Sequence, residues 1–159
     1  MNKEYIAAEY RRMHDQGKFT GASLKPHLAK INNLVREYNV NSLLDYGCGK
    51  ALIHDKHRLA KEVTLYDPYY EPYSKKPIGD FDMVICTDVL EHIPEDEVGK
   101  VLADLINYAD KVLYVAICTK PAKKTFKNGE NVHLTVKPKE WWEQMLSTGK
   151  DIIIVRHYT

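Results

Sequence analysis

Cysteine is scarce in this sequence, with three in 159 residues. Cys48, Cys86 and Cys118 are odd in number and show no metal-binding spacing, which argues against a disulfide framework and against a structural zinc knot. Each lies in or beside a predicted strand, so all three are expected as reduced, buried thiols of a cytoplasmic protein. An excess of charge of one sign is also lacking: the formal net charge is +1, so bulk electrostatic attraction to nucleic acid or an acidic membrane is not encoded. No apolar run approaches the roughly 20 residues needed to cross a bilayer, and the opening Met-Asn-Lys-Glu-Tyr has no apolar signal core. A chain of this length supports one core and would starve a second, so residues 1–159 are expected to form a single domain without membrane contact.

One missing glycine is informative. Leu43 to Lys50 reads Leu-Leu-Asp-Tyr-Gly-Cys-Gly-Lys, an apolar run that ends in an acid and turns at Gly47 and Gly49. This predicts a buried strand over 42–46 and a sharp turn whose glycines take positive φ and admit a ligand against the backbone. A dinucleotide fingerprint requires a further Gly or Ala three residues after the second glycine, and that place is Leu52. The pyrophosphate reading is therefore weak. What remains is Asp45-x-Gly47-x-Gly49 with Ala51 two residues on.

The rest of the chain alternates between strand and helix signals. Residues 1–22 read as an N-terminal helix and lid, with Tyr10, Met13, His14 and Phe19 as residues that would cover a ligand or simply pack on the surface. Ser23 offers an N-cap to an amphipathic helix carrying Leu24, Leu28, Ile31 and Val35. A weak helix is expected over 51–60, and then a second strand, 62–66, ending at Asp67. An acid about 20 residues past a glycine turn, at a strand tip, can accept both hydroxyl hydrogens of a ribose; Pro68 equally favours a plain Asp-Pro turn. The stretch from Asp67 to Phe81 is too short for a full helix and a strand. A strand follows over 81–87, then Asp88-Val-Leu-Glu91-His92-Ile-Pro94 and a helix whose first turn holds Glu95, Asp96 and Glu97 and whose buried face is Val98, Val101, Leu102, Leu105 and Ile106. A strand over 111–118, a long loop, a short helix with Trp141 and Trp142, and a final strand over 151–157 complete an α/β pattern with a mostly parallel sheet flanked by helices.

Taken together, Leu-Leu-Asp45-Tyr-Gly47-Cys-Gly49, Leu-Tyr-Asp67 and the Phe81 to Pro94 segment resemble the class I S-adenosylmethionine (SAM) methyltransferases over residues 23–158. Gly129-Glu-Asn131-Val-His133 ahead of the Trp-Trp helix is similar to compact methyltransferases often carried by phages. The resemblance implies a Rossmann-like class I fold with an abbreviated strand-3 edge and a truncated C-terminal strand pair. It places SAM against Asp45, Gly47, Cys48, Gly49, Asp67, Pro68, Asp88 and Val89, and gives Glu91, His92 and His133 as catalytic candidates. Asp88-x-x-Glu91-His92 with the later His133 is similar to the metal-dependent small-RNA 2′-O-methyltransferases, which have Glu in the first position; Glu-His at this place also occurs in ubiquinone-pathway O-methyltransferases. That likeness implies a divalent metal, magnesium, manganese or zinc, on Asp88, Glu91, His92 and His133; without a metal the histidines serve as base or acceptor contact.

The expected activity is methyl transfer to a hydroxyl or amine. Such chemistry rests on alignment of the nucleophile and exclusion of water, with positioning worth roughly 7 to 11 kcal/mol in favourable cases. Lys120, Lys123, Lys124 and Lys127 crowd the loop after the strand ending at Cys118, which points to an anionic acceptor, a nucleotide, a phosphorylated metabolite or an RNA end; a solvated basic loop is the plainer reading. Two other functions fit the same cofactor corner: breakdown of SAM without an acceptor, and SAM binding without turnover.

Overall fold

The computed structural model describes residues 2–159 as an α/β fold built on five parallel strands. They are β1 (Ser42–Tyr46), β2 (Glu62–Tyr66), β3 (Phe81–Thr87), β4 (Ala109–Ile117) and β5 (Ile153–Tyr158), in the spatial order β2-β1-β3-β4-β5. Each neighbouring pair is parallel, with Leu44 beside Val84, Val84 beside Leu113 and Leu113 beside Ile154. Both faces of the central strands are covered, which is why β3 and β4 read as near-continuous apolar runs.

Alternate residues feed two separate cores. Leu44, Val84, Cys86, Leu113 and Val115 point to the face covered by α3 (Glu95–Tyr108) and α4 (Lys139–Met145), where they meet Val98, Leu102, Leu105 and Trp142. Leu43, Met83, Ile85, Val112 and Tyr114 point to the opposite face, where Ile31 and Leu34 of α2 (Leu28–Glu37) pack. Full burial of a Leu or Val side chain contributes about 1.5 to 3 kcal/mol, so the helical spacing of Val98, Leu102 and Leu105 suffices to hold α3 on the sheet. A third cluster forms beyond the strand ends, where Ile6, Tyr10 and Met13 of α1 (Lys3–Asp15) meet Phe126 and Val132 of the loop after β4.

Three sequence expectations change at this level. The weak helix expected over 51–60 is a series of turns, with Ala51 at φ 53° and Leu52 half exposed; the segment lacks an apolar stripe that would hold a helix on the sheet. Ser23 caps no α-helix, because Pro26 makes residues Ala22–His27 a 3-10 turn and α2 begins only at Leu28. The Ser23 hydroxyl instead lies 3.3 Å from the Thr87 carbonyl at the end of β3. Cys48 and Cys86 are buried as expected, but Cys118 is only half-buried. The short connection between β2 and β3 carries a 3-10 turn at Glu71–Tyr73 and no strand, as its length requires, and β5 joins β4 in parallel. Among the described residues, no helix is long and apolar enough to cross a membrane.

Candidate functional site

In a sheet of order 2-1-3-4-5 the chain runs from β1 to β2 on one side and from β3 to β4 on the other, so the loops after β1 and β3 diverge and open a crevice at their carboxyl ends. A cavity of about 600 Å³ occupies this crevice, within the size range of small-molecule sites. Its walls are Gly47 and Gly49 after β1, Asp67, Pro68 and Tyr69 after β2, Thr87 to Val89 after β3, Cys118 after β4 and Thr159 after β5. Tyr10 and His14 of α1 and Phe19 of the following loop roof it, so three of the four residues expected as a lid line the cavity. Met13 is buried in the cluster beneath them.

The glycine turn is packed more tightly by the chain itself than a ligand-only reading expects. A Cβ on Gly47 would lie 2.3 Å from Val89 Cγ2, and one on Gly49 would lie 2.9 Å from the Phe19 carbonyl oxygen. Gly47 and Gly49 have φ of 80° and 57°. Both positions therefore need glycine for conformation and for close approach. Asp67, which is buried, holds the turn from the side: Oδ2 accepts the Gly49 N–H at 3.0 Å and Oδ1 the Tyr69 N–H at 2.9 Å. A carboxylate offers about four lone pairs, so each oxygen retains capacity toward the cavity. His14 Nε2 stands 3.5 Å from Asp67 Oδ1, with its ring stacked on Tyr70, and burial lowers its pKa.

Two of the expected cofactor residues stand apart from this wall. Asp45 and Cys48 are buried and are not among the lining residues; Asp45 Oδ2 is instead 2.7 Å from His54 Nε2. Gly47, Gly49, Asp67, Pro68, Asp88 and Val89 all line the cavity.

The opposite wall carries the ionisable groups. Asp88 sits at φ 53°, a left-handed conformation that Asp tolerates better than most residues. It is followed by a 3-10 turn, Leu90–His92, which brings Glu91 and His92 to the cavity. Glu91 is fully buried, and desolvation pushes its pKa up to about 8 despite the Cys118 N–H donated to Oε1 at 2.9 Å. Its other oxygen, Oε2, has no hydrogen-bond partner among the described residues. Burial lowers the His92 pKa to about 3, so this ring is neutral near pH 7. Its Nδ1 lies 3.0 Å from the Val132 carbonyl, which puts the proton on Nδ1 and leaves Nε2 as an acceptor. His133 Nδ1 lies 2.6 Å from the Lys120 carbonyl, and its ring meets that of His92 edge to face at 4.8 Å.

The four residues expected to share a metal divide. Glu91 and His133 have ligand atoms close together, and the third member of their cluster is Cys118; Asp88 and His92 fall outside it. The sequence alone marks Cys118 as a reduced, buried thiol without metal-binding spacing. Its position just past β4, at the carboxyl edge where this fold gathers ligand contacts, is the signal that singles it out. Of the basic loop, Lys123 and Lys124 line the cavity with Lys18, while Lys120 and Lys127 do not. Comparison of the chain with protein-family models, with curated proteins and with solved structures finds no match.

Proposed function

We propose that the cavity binds SAM and that the protein is a class I methyltransferase acting on a hydroxyl or amine of an anionic acceptor. The observation that carries this reading is the arrangement at the β1/β3 crevice: a glycine turn and a strand-tip carboxylate, Asp67, on one side, and Asp88, Glu91 and His92 on the other. Asp67 suits ribose hydroxyls because its unused lone pairs remain beside the cavity. Tyr10, Phe19 and Tyr69 present aromatic rings to the same space, an environment that favours a sulfonium cation. When bound, SAM supplies an activated methyl electrophile.

The chain then has two tasks, alignment and proton removal. Lys18, Lys123 and Lys124 would hold the anionic part of the acceptor at the cavity mouth. His92 and His133 are the candidate bases, and their surroundings differ. His92 is fixed by Val132 and desolvated, which makes it a weak base and a good positioning acceptor for a hydroxyl hydrogen. His133 is half-buried at the same wall and better placed to pass a proton to water. General-base assistance of this kind contributes typically 10² to 10⁴-fold.

The test is product analysis with purified protein, SAM and panels of nucleotides, phosphorylated metabolites and RNA ends. Formation of S-adenosylhomocysteine only when an acceptor is present supports the proposal. Fragments of SAM without acceptor would replace it with a degrading enzyme, and binding without any product would replace it with a sensor or scaffold.

A further inference from the structure

We propose that Glu91, Cys118 and His133 form a binding site for one thiophilic divalent cation, with zinc the best match, on the β3/β4 side of the cavity. One ligand atom from each residue, a carboxylate oxygen, the thiol sulfur and a ring nitrogen, lies within 4.8 Å of the other two. Ligand atoms on one tetrahedral zinc stand roughly 3.3 to 3.6 Å apart, given bonds of about 2.0 Å to N or O and about 2.3 Å to S. Binding would have to draw the three atoms together by up to about 1.5 Å through side-chain rotation. Three protein ligands and one open position is the arrangement of zinc sites that receive a water or substrate, and all three residues line the cavity.

An independent observation points to a cation here. Glu91 is 0 % exposed, and its Oε2 has no hydrogen-bond partner among the described residues. A buried carboxyl oxygen without a hydrogen-bond partner is costly whether the group is ionised or protonated, and such oxygens in folded proteins are usually paired or coordinate metal. No lysine or arginine forms an ion pair with Glu91 among the described residues. The surroundings also orient the donors. The Cys118 N–H fixes Glu91 Oε1, and the Lys120 carbonyl takes the His133 Nδ1 contact at 2.6 Å, leaving the other ring nitrogen with its lone pair free. Outer contacts of this type are what hold metal-ligating histidines and carboxylates in place.

The donor set selects the metal. A thiolate with an imidazole and a carboxylate suits zinc and is a poor match for magnesium, which prefers six oxygens. The cation site is defined by side chains and tested without SAM, so its failure is distinguishable from that of the methyl-transfer reading; where the metal binds, His133 is a ligand and His92 is left as the base candidate.

The experiment uses the full chain, reduced and stripped with chelator, then titrated with cobalt(II) as a spectroscopic stand-in and with zinc in competition. The expected result is one cobalt per chain with a thiolate-to-cobalt charge-transfer band, displaced by one equivalent of zinc. Cys118→Ser should remove the band, and Cys118→Ser and His133→Ala should each weaken zinc binding by more than about 100-fold, beyond the 10- to 100-fold that losing an outer contact costs. Both residues are partly solvent-exposed, and circular dichroism checks that the variants fold. His92→Ala should keep the band and stay within 10-fold of wild type. A band that survives Cys118→Ser, the absence of stoichiometric binding to folded wild type, or equal loss in His92→Ala and His133→Ala would overturn the site.

Discussion

His54 Nε2 lies 2.7 Å from Asp45 Oδ2 in the buried floor of the glycine turn. The acid that resembles the start of a SAM motif is thus engaged by the chain's own β1-to-β2 connection. Burial raises the Asp45 pKa, and the His54 contact opposes that rise. His54→Ala leaves a buried oxygen without its partner, so it should lower stability by about 1 to 3 kcal/mol, seen as a lower urea midpoint with unchanged slope. Asp45→Asn should alter SAM affinity less than Asp67→Ala does. Loss of SAM binding in Asp45→Asn with an unchanged unfolding curve would show that Asp45 reaches the ligand after all.

Asp67 should behave differently because it joins turn and cavity. Asp67→Ala is expected to weaken SAM binding by about 1 to 3 kcal/mol, the usual loss for a hydrogen bond to a charged group. It should also destabilise the fold, since the Gly49 and Tyr69 N–H groups lose their acceptor. Calorimetric titration at a temperature where both proteins are folded separates the two effects. Equal SAM affinity in wild type and variant would remove Asp67 from the ligand contacts.

How much of the molecule is legible in its sequence depends on whether local pattern or tertiary packing decides. The strands and α3 are readable because β3 and β4 are continuous apolar runs and Val98, Leu102 and Leu105 repeat at helical spacing. The turns at 51–60 are not, because weak helix propensity there meets no apolar partner and His54 is drawn to Asp45. At the site, Asp67 and Asp88 are recognisable from their places at strand ends, whereas Glu91, His92 and His133 are picked out by the resemblance of Asp88-x-x-Glu91-His92 with a later His133 to a methyltransferase pattern. Cys118 escapes notice because spacing between cysteines carries no information when the side chains it meets at the site are Glu91 and His133. Periodicity also cannot show that the glycine turn is closed on by Val89 and Phe19.

Glu91 should make stability depend on pH. Its folded pKa of about 8 lies above the ordinary glutamate value of 4.5. The unfolded chain therefore ionises this group first, and folding loses stability as pH rises from the unfolded value through the folded one. In metal-free protein, Glu91→Gln should match wild type near pH 4.5 and become relatively more stable up to about pH 8. The difference should then level off at up to about 5 kcal/mol, since each tenfold change in proton affinity corresponds to about 1.36 kcal/mol. Urea unfolding in chelator across this range checks it; a gap that narrows with rising pH would mean that the folded state favours the carboxylate.

The lysines should divide by position. Lys124 lines the cavity and lies 5.2 Å from the Phe19 ring centroid, whereas Lys127 is outside the lining. For an anionic acceptor, Lys124→Glu should raise KM about tenfold or more and Lys127→Glu should change it little. The Lys124 effect should shrink in high salt, since the screening length is about 8 Å at physiological ionic strength. An acceptor KM that ignores both salt and the Lys124 substitution would show that the loop is merely solvated.

Tyr10 ties the roof to the wall that carries Glu91 and His92. Its hydroxyl donates to the Val132 carbonyl at 2.8 Å and also lies 3.2 Å from His92 Nδ1, while its ring stacks on Tyr69 at 5.2 Å. Nearby, Glu9 Oε2 accepts the Lys127 N–H at 2.8 Å. α1 is thus latched to the loop after β4, and that loop presents His133 and Lys124 to the cavity. Tyr10→Phe keeps the ring and removes one buried hydrogen bond, worth about 0.5 to 1.5 kcal/mol net. The expected result is faster amide exchange in residues 3–15 and 120–133, with little change in β3 and β4. SAM affinity should fall by about 2- to 12-fold, the same energy expressed as a binding constant. If Tyr10→Phe loosens α1 but leaves SAM affinity unchanged, α1 is a packing element and does not close over the ligand. If exchange is unaltered everywhere, the latch is held by the aromatic cluster of Tyr10, Phe19, Tyr69 and Phe126, and Tyr10→Ala should then release it.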